Sequence, residues 1–282
     1  MKLYLTTTGP VLEVADKYYY GPSTDWDALL NQPDLYNTLQ QFVQESDPSE
    51  TARQAIETGL LAPIGSQEVW AAGVTYLRSR NARMDESKQA GGATSGSSFY
   101  DRVYDADRPE LFFKATPGRV AGPGGTVRIR SDSTWNVPEP ELTLLINRAG
   151  QIMGYTCGND MSSRSIEGEN PLYLPQAKTY DGSAAIGPCV LLTPEPISPE
   201  TQIHLTIVRA DKAVFSDSIA ISRMKRSHNE LASWLFRSCS FSTGCYLMTG
   251  TGIVPPNEFT LHVGDVVSIT IDGIGTLKNE VG

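Results

Sequence analysis

From Pro63-Ile64-Gly65 onward, glycine and proline cut the chain into short runs, and this punctuation limits the fold more than any other feature. Strands of about four to eight residues tolerate such spacing, whereas packed helices need unbroken apolar periodicity over longer stretches. β-branched residues or period-two alternation predict strands over 126–130, 141–146, 203–208 and 266–272. One helix interrupts them: Ser227 with Glu230 three residues later forms a capping box, and Leu231, Trp234 and Leu235 supply an i, i+3, i+4 apolar stripe. Before residue 65 the texture differs, with short apolar runs, Gly-Pro breaks, and a helical stretch through residues 55–61 after Asp47-Pro48-Ser49-Glu50. The expected class is α+β, mainly β, with a small N-terminal α/β domain over 1–65 and one long β-rich domain over 66–282. No internal repeat is present.

A formal net charge of −9 without any basic run argues against nucleic acid as a partner. It also means that an anionic substrate needs a local cation to draw it in. The longest apolar stretches, such as residues 60–64, fall far short of the roughly 20 residues that span a bilayer. The N-terminus lacks the apolar core of a signal peptide, so the expected location is cytoplasmic, without a membrane partner. The four cysteines, Cys157, Cys189, Cys239 and Cys245, have no C-x-x-C spacing and read as free thiols. The glycine-rich run Ala121-Gly122-Pro123-Gly124-Gly125 lacks the Lys-Ser/Thr of a phosphate loop and reads as a turn. The polar, glycine-rich segment 84–108 reads equally as a surface loop or as a lid that orders over a substrate.

Chemistry gathers around Asn136-Val137-Pro138-Glu139-Pro140-Glu141-Leu142-Thr143. Strand periodicity places Glu139, Glu141 and Thr143 on one face, with Leu142, Leu144 and Ile146 on the other. Two carboxylates about 7 Å apart along a strand repel each other unless a cation lies between them, and a hard ion with oxygen ligands meets that need. By spacing alone the pair also fits a solvated polar face. The next strand-like run, 151–158, leads to Asn159-Asp160, where a turn would swing a third carboxylate toward the pair. Three acids suit Mg²⁺, which prefers six oxygens and would keep positions open for water or a bidentate substrate.

Several separate segments carry a resemblance to a known family. They are Pro109-Glu110-Leu111-Phe112-Phe113-Lys114, Ala121-Gly122-Pro123-Gly124, Glu139-Pro140-Glu141-Leu142, Gly154-Tyr155-Thr156-Cys157-Gly158-Asn159-Asp160-Met161-Ser162-Ser163-Arg164 and Lys178-Thr179-Tyr180-Asp181. Thr249-Gly250-Thr251-Gly252, Gly264-Asp265-Val266 and the run from Gly273 to Asn279 complete the set. In order and content they resemble the fumarylacetoacetate hydrolase family over roughly residues 70 to 282. The resemblance implies that family's mixed β-roll catalytic domain and a homo-oligomer, dimer or tetramer. It implies that Glu139, Glu141 and Asp160 bind Mg²⁺, with Mn²⁺ or Ca²⁺ as alternatives, and that a 2-oxo acid chelates the ion beside Lys178. It also places Thr251 on the substrate carboxylate and Tyr180 in the substrate site.

The sequence departs from the hydrolytic and decarboxylating relatives in one segment, Gly73-Val74-Thr75-Tyr76-Leu77-Arg78-Ser79-Arg80. Those relatives carry a histidine where Ser79 stands, and the three histidines here, His204, His228 and His262, lie in other segments. Without that base, attack by water on a carbon–carbon bond loses its means of activation. Arg78, Arg80 and Arg83 instead supply positive charge that suits a carboxylate or sugar hydroxyl, and equally suits a solvated helix face. This pattern resembles the branch that contains 2-keto-3-deoxy-D-arabinonate dehydratases, where a glutamate at the position of Glu110 carries protons. The expected activity is therefore a hydro-lyase of pentose catabolism that dehydrates a 2-keto-3-deoxy sugar acid through a stabilised enolate, with Lys178 and Glu110 as the catalytic pair. An acylpyruvate hydrolase or oxaloacetate-type decarboxylase using the same metal site is the alternative, and a noncatalytic 2-oxo acid binding protein is the second.

Overall fold

The computed structural model describes residues 1–89 and 102–282. The choice between loop and lid for 84–108 turns on its central residues, which lie outside the described residues. Two sheets form the body, and the difference between them is written in their burial. In the strands Gln202–Arg209 and Val266–Ile271 burial alternates, with Ile203, Leu205, Ile207, Val267, Ile269 and Ile271 pointing inward. Period-two sequences of this kind have one wet face. Pro140–Ile146 is buried at every position and lies in the middle of a larger sheet that is covered on both faces.

The larger sheet runs in the order Lys17–Tyr20, Gly9–Val14, Lys2–Thr6, Ala184–Leu191, Ile152–Asp160, Pro140–Ile146, Cys245–Met248, Glu68–Gly73, Glu110–Ala115, with Val120–Ala121 added beside Ala184–Leu191. The smaller sheet runs Lys212–Ala220, Gln202–Arg209, Val266–Ile271, Gly275–Val281, Thr126–Val127. Leu142, Leu144 and Ile146 share one apolar cluster with Ile203, Leu205 and Leu277, so the sheets pack face to face. Leu145, Tyr246 and Val190 join Trp26, Leu29, Leu35 and Leu39 in a second cluster, which places the helices Trp26–Leu30 and Leu35–Gln44 on the opposite face. The mainly β architecture with a helical minority matches the class expected from the sequence. The first strands join the large sheet directly, with Lys2 opposite Leu191 and Leu3 opposite Val190. Among the described residues no helix is long and apolar enough to cross a membrane.

Ser227 caps the helix His228–Leu235 as expected, its side chain accepting from the Glu230 N–H at 3.1 Å. Three local expectations are corrected. The run 126–130 pairs only at Thr126–Val127, because Arg128 turns its N–H to the Gly182 carbonyl at 2.9 Å and Arg130 reaches the Gln176 carbonyl at 3.0 Å. The early helix spans Glu50–Gly59 rather than 55–61, because Leu61 donates its N–H to Leu5 and so extends the contact with the first strand. Asn159-Asp160 is not a turn: strand Ile152–Asp160 continues through both residues, paired to Pro140 and to Ala184–Leu191. Sheet pairing on both sides overrides the turn preference of the dipeptide.

Candidate active site

The antiparallel register of Pro140–Ile146 with Ile152–Asp160 sets Glu141 opposite Gly158 and Pro140 opposite Asn159. Asp160 therefore arrives at the strand end beside Glu139, to whose carbonyl it donates its N–H at 3.0 Å. Glu139, Glu141 and Asp160 are all buried, and each offers one oxygen within 4.8 Å of the others. Gly158 makes this packing possible, since a Cβ there would lie 2.1 Å from Thr143 Oγ1. The spacing that suggested a carboxylate pair becomes a three-acid cluster through tertiary pairing.

Buried cations surround this cluster. Lys178 ends the short helix Leu174–Lys178, fully buried, with Nζ 2.5 Å from Glu139, 3.2 Å from Asp160, 3.5 Å from Glu167 and 2.5 Å from Ser162 Oγ. Burial favours its neutral form, but Asp160, Glu139 and Glu167 outweigh that effect and hold its pKa above the ordinary lysine value. That balance favours the ammonium form. Lys114, also fully buried, lies 2.6 Å from Asp160, donates to the Met161 carbonyl at 2.9 Å, and donates to the main-chain carbonyl of Lys178 itself. Arg164 bonds Glu139 at 2.7 Å, and Arg83 forms a buried ion pair with Glu167.

Glu141 differs from its two neighbours. No ion pair among the described residues reaches it, and its hydrogen-bond partner is the Gly250 N–H at 2.6 Å. Burial pushes its pKa well above the ordinary glutamate value, and repulsion from Asp160 and Glu139 adds to the push. A divalent cation among the three carboxylates supplies the missing counter-charge, and three converging carboxylate oxygens are the donor set that Mg²⁺ takes. The residues present fit that ion. The pocket above the cluster is closed by Ser79, Arg83, Phe112, Lys178, Gly250 and Thr251. A larger cavity of ≈ 530 Å³ lies elsewhere, around Met153, Tyr155, Pro194, Glu195 and His228, but it brings one carboxylate rather than three and no lysine. Chemistry, rather than size, selects the acid site.

The profile described as "Fumarylacetoacetate (FAA) hydrolase C-terminal" matches residues 79–282. The chain belongs to the fumarylacetoacetate hydrolase family. It is 51% identical over 221 residues, covering 78% of this chain and 73% of its relative, to a probable 2-keto-3-deoxyxylonate dehydratase of Haloferax volcanii. It is 43% identical over 220 residues, again covering 78% of this chain and 73% of the relative, to the 2-dehydro-3-deoxy-D-arabinonate dehydratase of Saccharolobus solfataricus. Among solved structures it is similar to a 2-keto-3-deoxy-D-arabinonate dehydratase complexed with magnesium and 2,5-dioxopentanoate, with a TM-score of 0.82, 32% identity, and coverage of 100% of this chain and 98% of that one.

Within this family fold, the other candidates from the sequence fall into three groups: pocket-lining residues, residues with buried polar atoms outside that lining, and residues not brought to the pocket. Ser79, Arg83 and Thr251 line the pocket with Lys178 and the acids. The Ser79 hydroxyl is engaged at its own helix start, donating to the Tyr76 carbonyl at 2.8 Å, and Thr251 Oγ1 bonds Ile253 at 3.2 Å. Glu110 sits on the strand paired with Gly73, its Oε2 buried and without a hydrogen-bond partner among the described residues. Burial raises its pKa above the ordinary value. Tyr180 buries its hydroxyl, also without a partner among the described residues, with its ring 5.8 Å from Lys114 Nζ and 5.7 Å from Arg130 Cζ. Arg78 and Arg80 are not brought to the pocket. Arg78, half exposed, pairs with Asp217 at 2.6 Å and donates to the Val254 carbonyl, while Arg80 bonds Asn81 and lies over the Tyr104 ring.

Lys114, Ser162, Arg164 and Glu167 complete the polar shell and were not singled out from the sequence. For Lys114 a signal existed: strand periodicity aligns it with Glu110 and Phe112. Arg164 and Glu167 stand three apart on the helix Arg164–Glu169, a pattern too common to mark a buried pair. No histidine lines the pocket; His204 pairs with Asp272 on the smaller sheet, and His228 lies beside Tyr155.

Proposed function

We propose that this chain is a Mg²⁺-dependent dehydratase that converts a 2-keto-3-deoxypentonate, derived from D-arabinonate or D-xylonate, to 2,5-dioxopentanoate and water. The observation that carries it is the convergence of Glu139, Glu141 and Asp160 beside a buried, charged Lys178 in a pocket without histidine. The names of the relatives and the ligands of the similar structure support the same chemistry. Glu139, Glu141 and Asp160 would hold the ion, which as a Lewis acid would polarise the 2-oxo group and acidify C3.

The chain's own residues supply the rest. Lys178 places a fixed positive charge where negative charge develops as the C3 proton leaves. Burial makes the Glu110 carboxylate more basic than a free glutamate, so it takes the proton that leaves C3. The Lys178 ammonium gives the proton that converts the C4 hydroxyl to a departing water, and return of the proton from Glu110 to Lys178 resets the pair. Tautomerisation of the dehydrated product gives the aldehyde at C5. Arg83, Ser79 and Thr251 orient the substrate, with Tyr180 behind them. Arg78 and Arg80 lie outside the pocket and have no direct role in this proposal. A pocket without histidine has no evident group to activate water for carbon–carbon cleavage, which favours elimination over acylpyruvate hydrolysis.

The proposal extends to a cytoplasmic homo-oligomer, with residues 1–65 as a small N-terminal domain that adds its strands to the catalytic sheet. The test is direct: purified protein with Mg²⁺ and a 2-keto-3-deoxypentonate should release 2,5-dioxopentanoate, and release should stop on chelation. Absence of product with a metal-loaded, folded protein would sink the proposal.

A further inference from the structure

Gly73 and Glu110 face each other in register, so they mark where the chain leaves the large sheet and where it returns. Ser79 and Arg83 reach the pocket from this excursion, on the helix Leu77–Gln89. The three acids stand instead at the ends of central strands. A helix outside the sheet ladder needs its own anchor to stay in place over the acids. Met224-Lys225-Arg226 supplies one.

This tripeptide holds both flanks of the excursion. On the departing side, Lys225 donates its N–H to the Thr75 carbonyl at 2.9 Å, and Met224 forms an antiparallel bridge with Tyr76. On the returning side, Arg226 is 6% exposed and donates to the carbonyls of Val103 at 3.2 Å, Ala106 at 2.6 Å and Asp107 at 3.0 Å. The Glu230 carboxylate, one helical turn on, orients the same guanidinium at 2.6 Å. Lys225 Nζ adds the Tyr104 carbonyl at 2.6 Å and Asp105 at 2.8 Å. Residues 102–105 are helical and are followed by bends at 106–108; the rigid fork of Arg226 takes the Val103 carbonyl at the helix end together with the Ala106 and Asp107 carbonyls just beyond it. An ammonium has three donors on one atom and cannot reproduce that span.

We propose that Arg226 is a positioning residue. By closing the excursion between Gly73 and Glu110 at its base, it sets where Ser79 and Arg83 stand over the acid cluster. The proposal rests on the assignment of that pocket as the substrate site. It separates two functions that share the pocket: the metal ligands are built on the sheet and do not need the anchor, whereas the substrate contacts on the helix do.

Arg226→Met and Arg226→Lys should be compared with wild type by amide hydrogen exchange over 77–89 and 102–109, by Mg²⁺-induced thermal stabilisation, and by steady-state kinetics on a 2-keto-3-deoxypentonate. Faster exchange at both flanks in Arg226→Met, an unchanged Mg²⁺ shift, and a loss of about 10- to 100-fold in kcat/KM carried mainly by KM are expected, since small displacements of orienting groups have effects of this size. Arg226→Lys should recover part of each. Unchanged exchange at the two flanks would overturn the proposal, as would loss of the Mg²⁺ shift together with activity. If wild type does not turn over the substrate, the functional assignment fails, while the exchange comparison still decides whether Arg226 anchors the excursion.

Discussion

Replacing Glu141 with glutamine separates a metal-balanced acid cluster from one that the protein balances alone. Asp160 faces Lys114 at 2.6 Å and Lys178 at 3.2 Å, and Glu139 faces Lys178 at 2.5 Å and Arg164 at 2.7 Å, but among the described residues Glu141 is met by the Gly250 N–H and by no ion pair. Glutamine keeps an oxygen for that N–H at nearly the same volume. Without metal, Glu141→Gln should therefore stay within about 1 kcal/mol of wild type. With Mg²⁺ at about 100 times its Kd, wild type gains about 2.7 kcal/mol. For a chain of 282 residues, at about 2.1 cal/mol/K of unfolding entropy per residue, that gain is about 4–5 °C in Tm. Changes to groups that merely orient metal ligands weaken binding by up to about 100-fold, and a loss of that size at a direct ligand would leave about 0.4 kcal/mol at the same Mg²⁺ concentration, under about 1 °C. Thermal unfolding with Mg²⁺ and with chelator, at fixed protein concentration, measures both quantities. Asp160→Asn is the contrast, because it leaves two buried lysines short of a partner and should cost about 3–5 kcal/mol even without metal. If Glu141→Gln keeps the full Mg²⁺ shift, Glu141 is not a ligand; if it is destabilised without metal as much as Asp160→Asn, the counter-charge comes from the protein.

Two further outcomes follow from other parts of the structure. Asp265 is fully buried and takes both oxygens to Arg209 at 2.7 Å and the His262 N–H at 2.9 Å; burial pushes its pKa up, but these partners outweigh it and hold the value below the ordinary 3.8. Because the folded value is the lower one, this stabilisation is present above about pH 4 and fades as pH falls through the folded value, so Asp265→Asn should cost about 3 kcal/mol at pH 7 and progressively less in acid, measured by denaturant unfolding. Gly73→Ala would set a Cβ 1.9 Å from Glu110 Oε2, so it should displace that carboxyl and lower kcat about 100-fold while Tm moves little; undiminished kcat would remove Glu110 from the proton path.

The smaller sheet was legible because its strands obey period two, with Ile203, Leu205 and Ile207 inward and polar neighbours outward. The helix at Ser227 was legible because a capping box is a local interaction. The failures have the opposite character. Thr126–Val127 stops where Arg128 finds a partner more than fifty residues away, and Asn159-Asp160 stays extended because strands on both sides claim its backbone. Arg78 and Arg83 look equivalent in sequence, yet one pairs with Asp217 at the surface and the other is buried against Glu167. Five residues on a helix, at about 100° each, turn the side chain to a different side, and only the packed neighbour tells which side is inside.

By itself the sequence determined the β-rich class, the order of the family segments, the three acids with Lys178, and the serine where related hydrolases keep a histidine. These are properties of residue identity and spacing, and they survive without coordinates. Tertiary structure alone decided that Asp160 joins the acid pair through strand register, that Lys114, Arg164 and Glu167 close the charge shell, and that Glu141 has no ion pair among the described residues. Buried charge is a relation between segments far apart in the chain: whether a carboxylate is solvated, paired or waiting for an ion depends on what folding brings within a few ångströms of it.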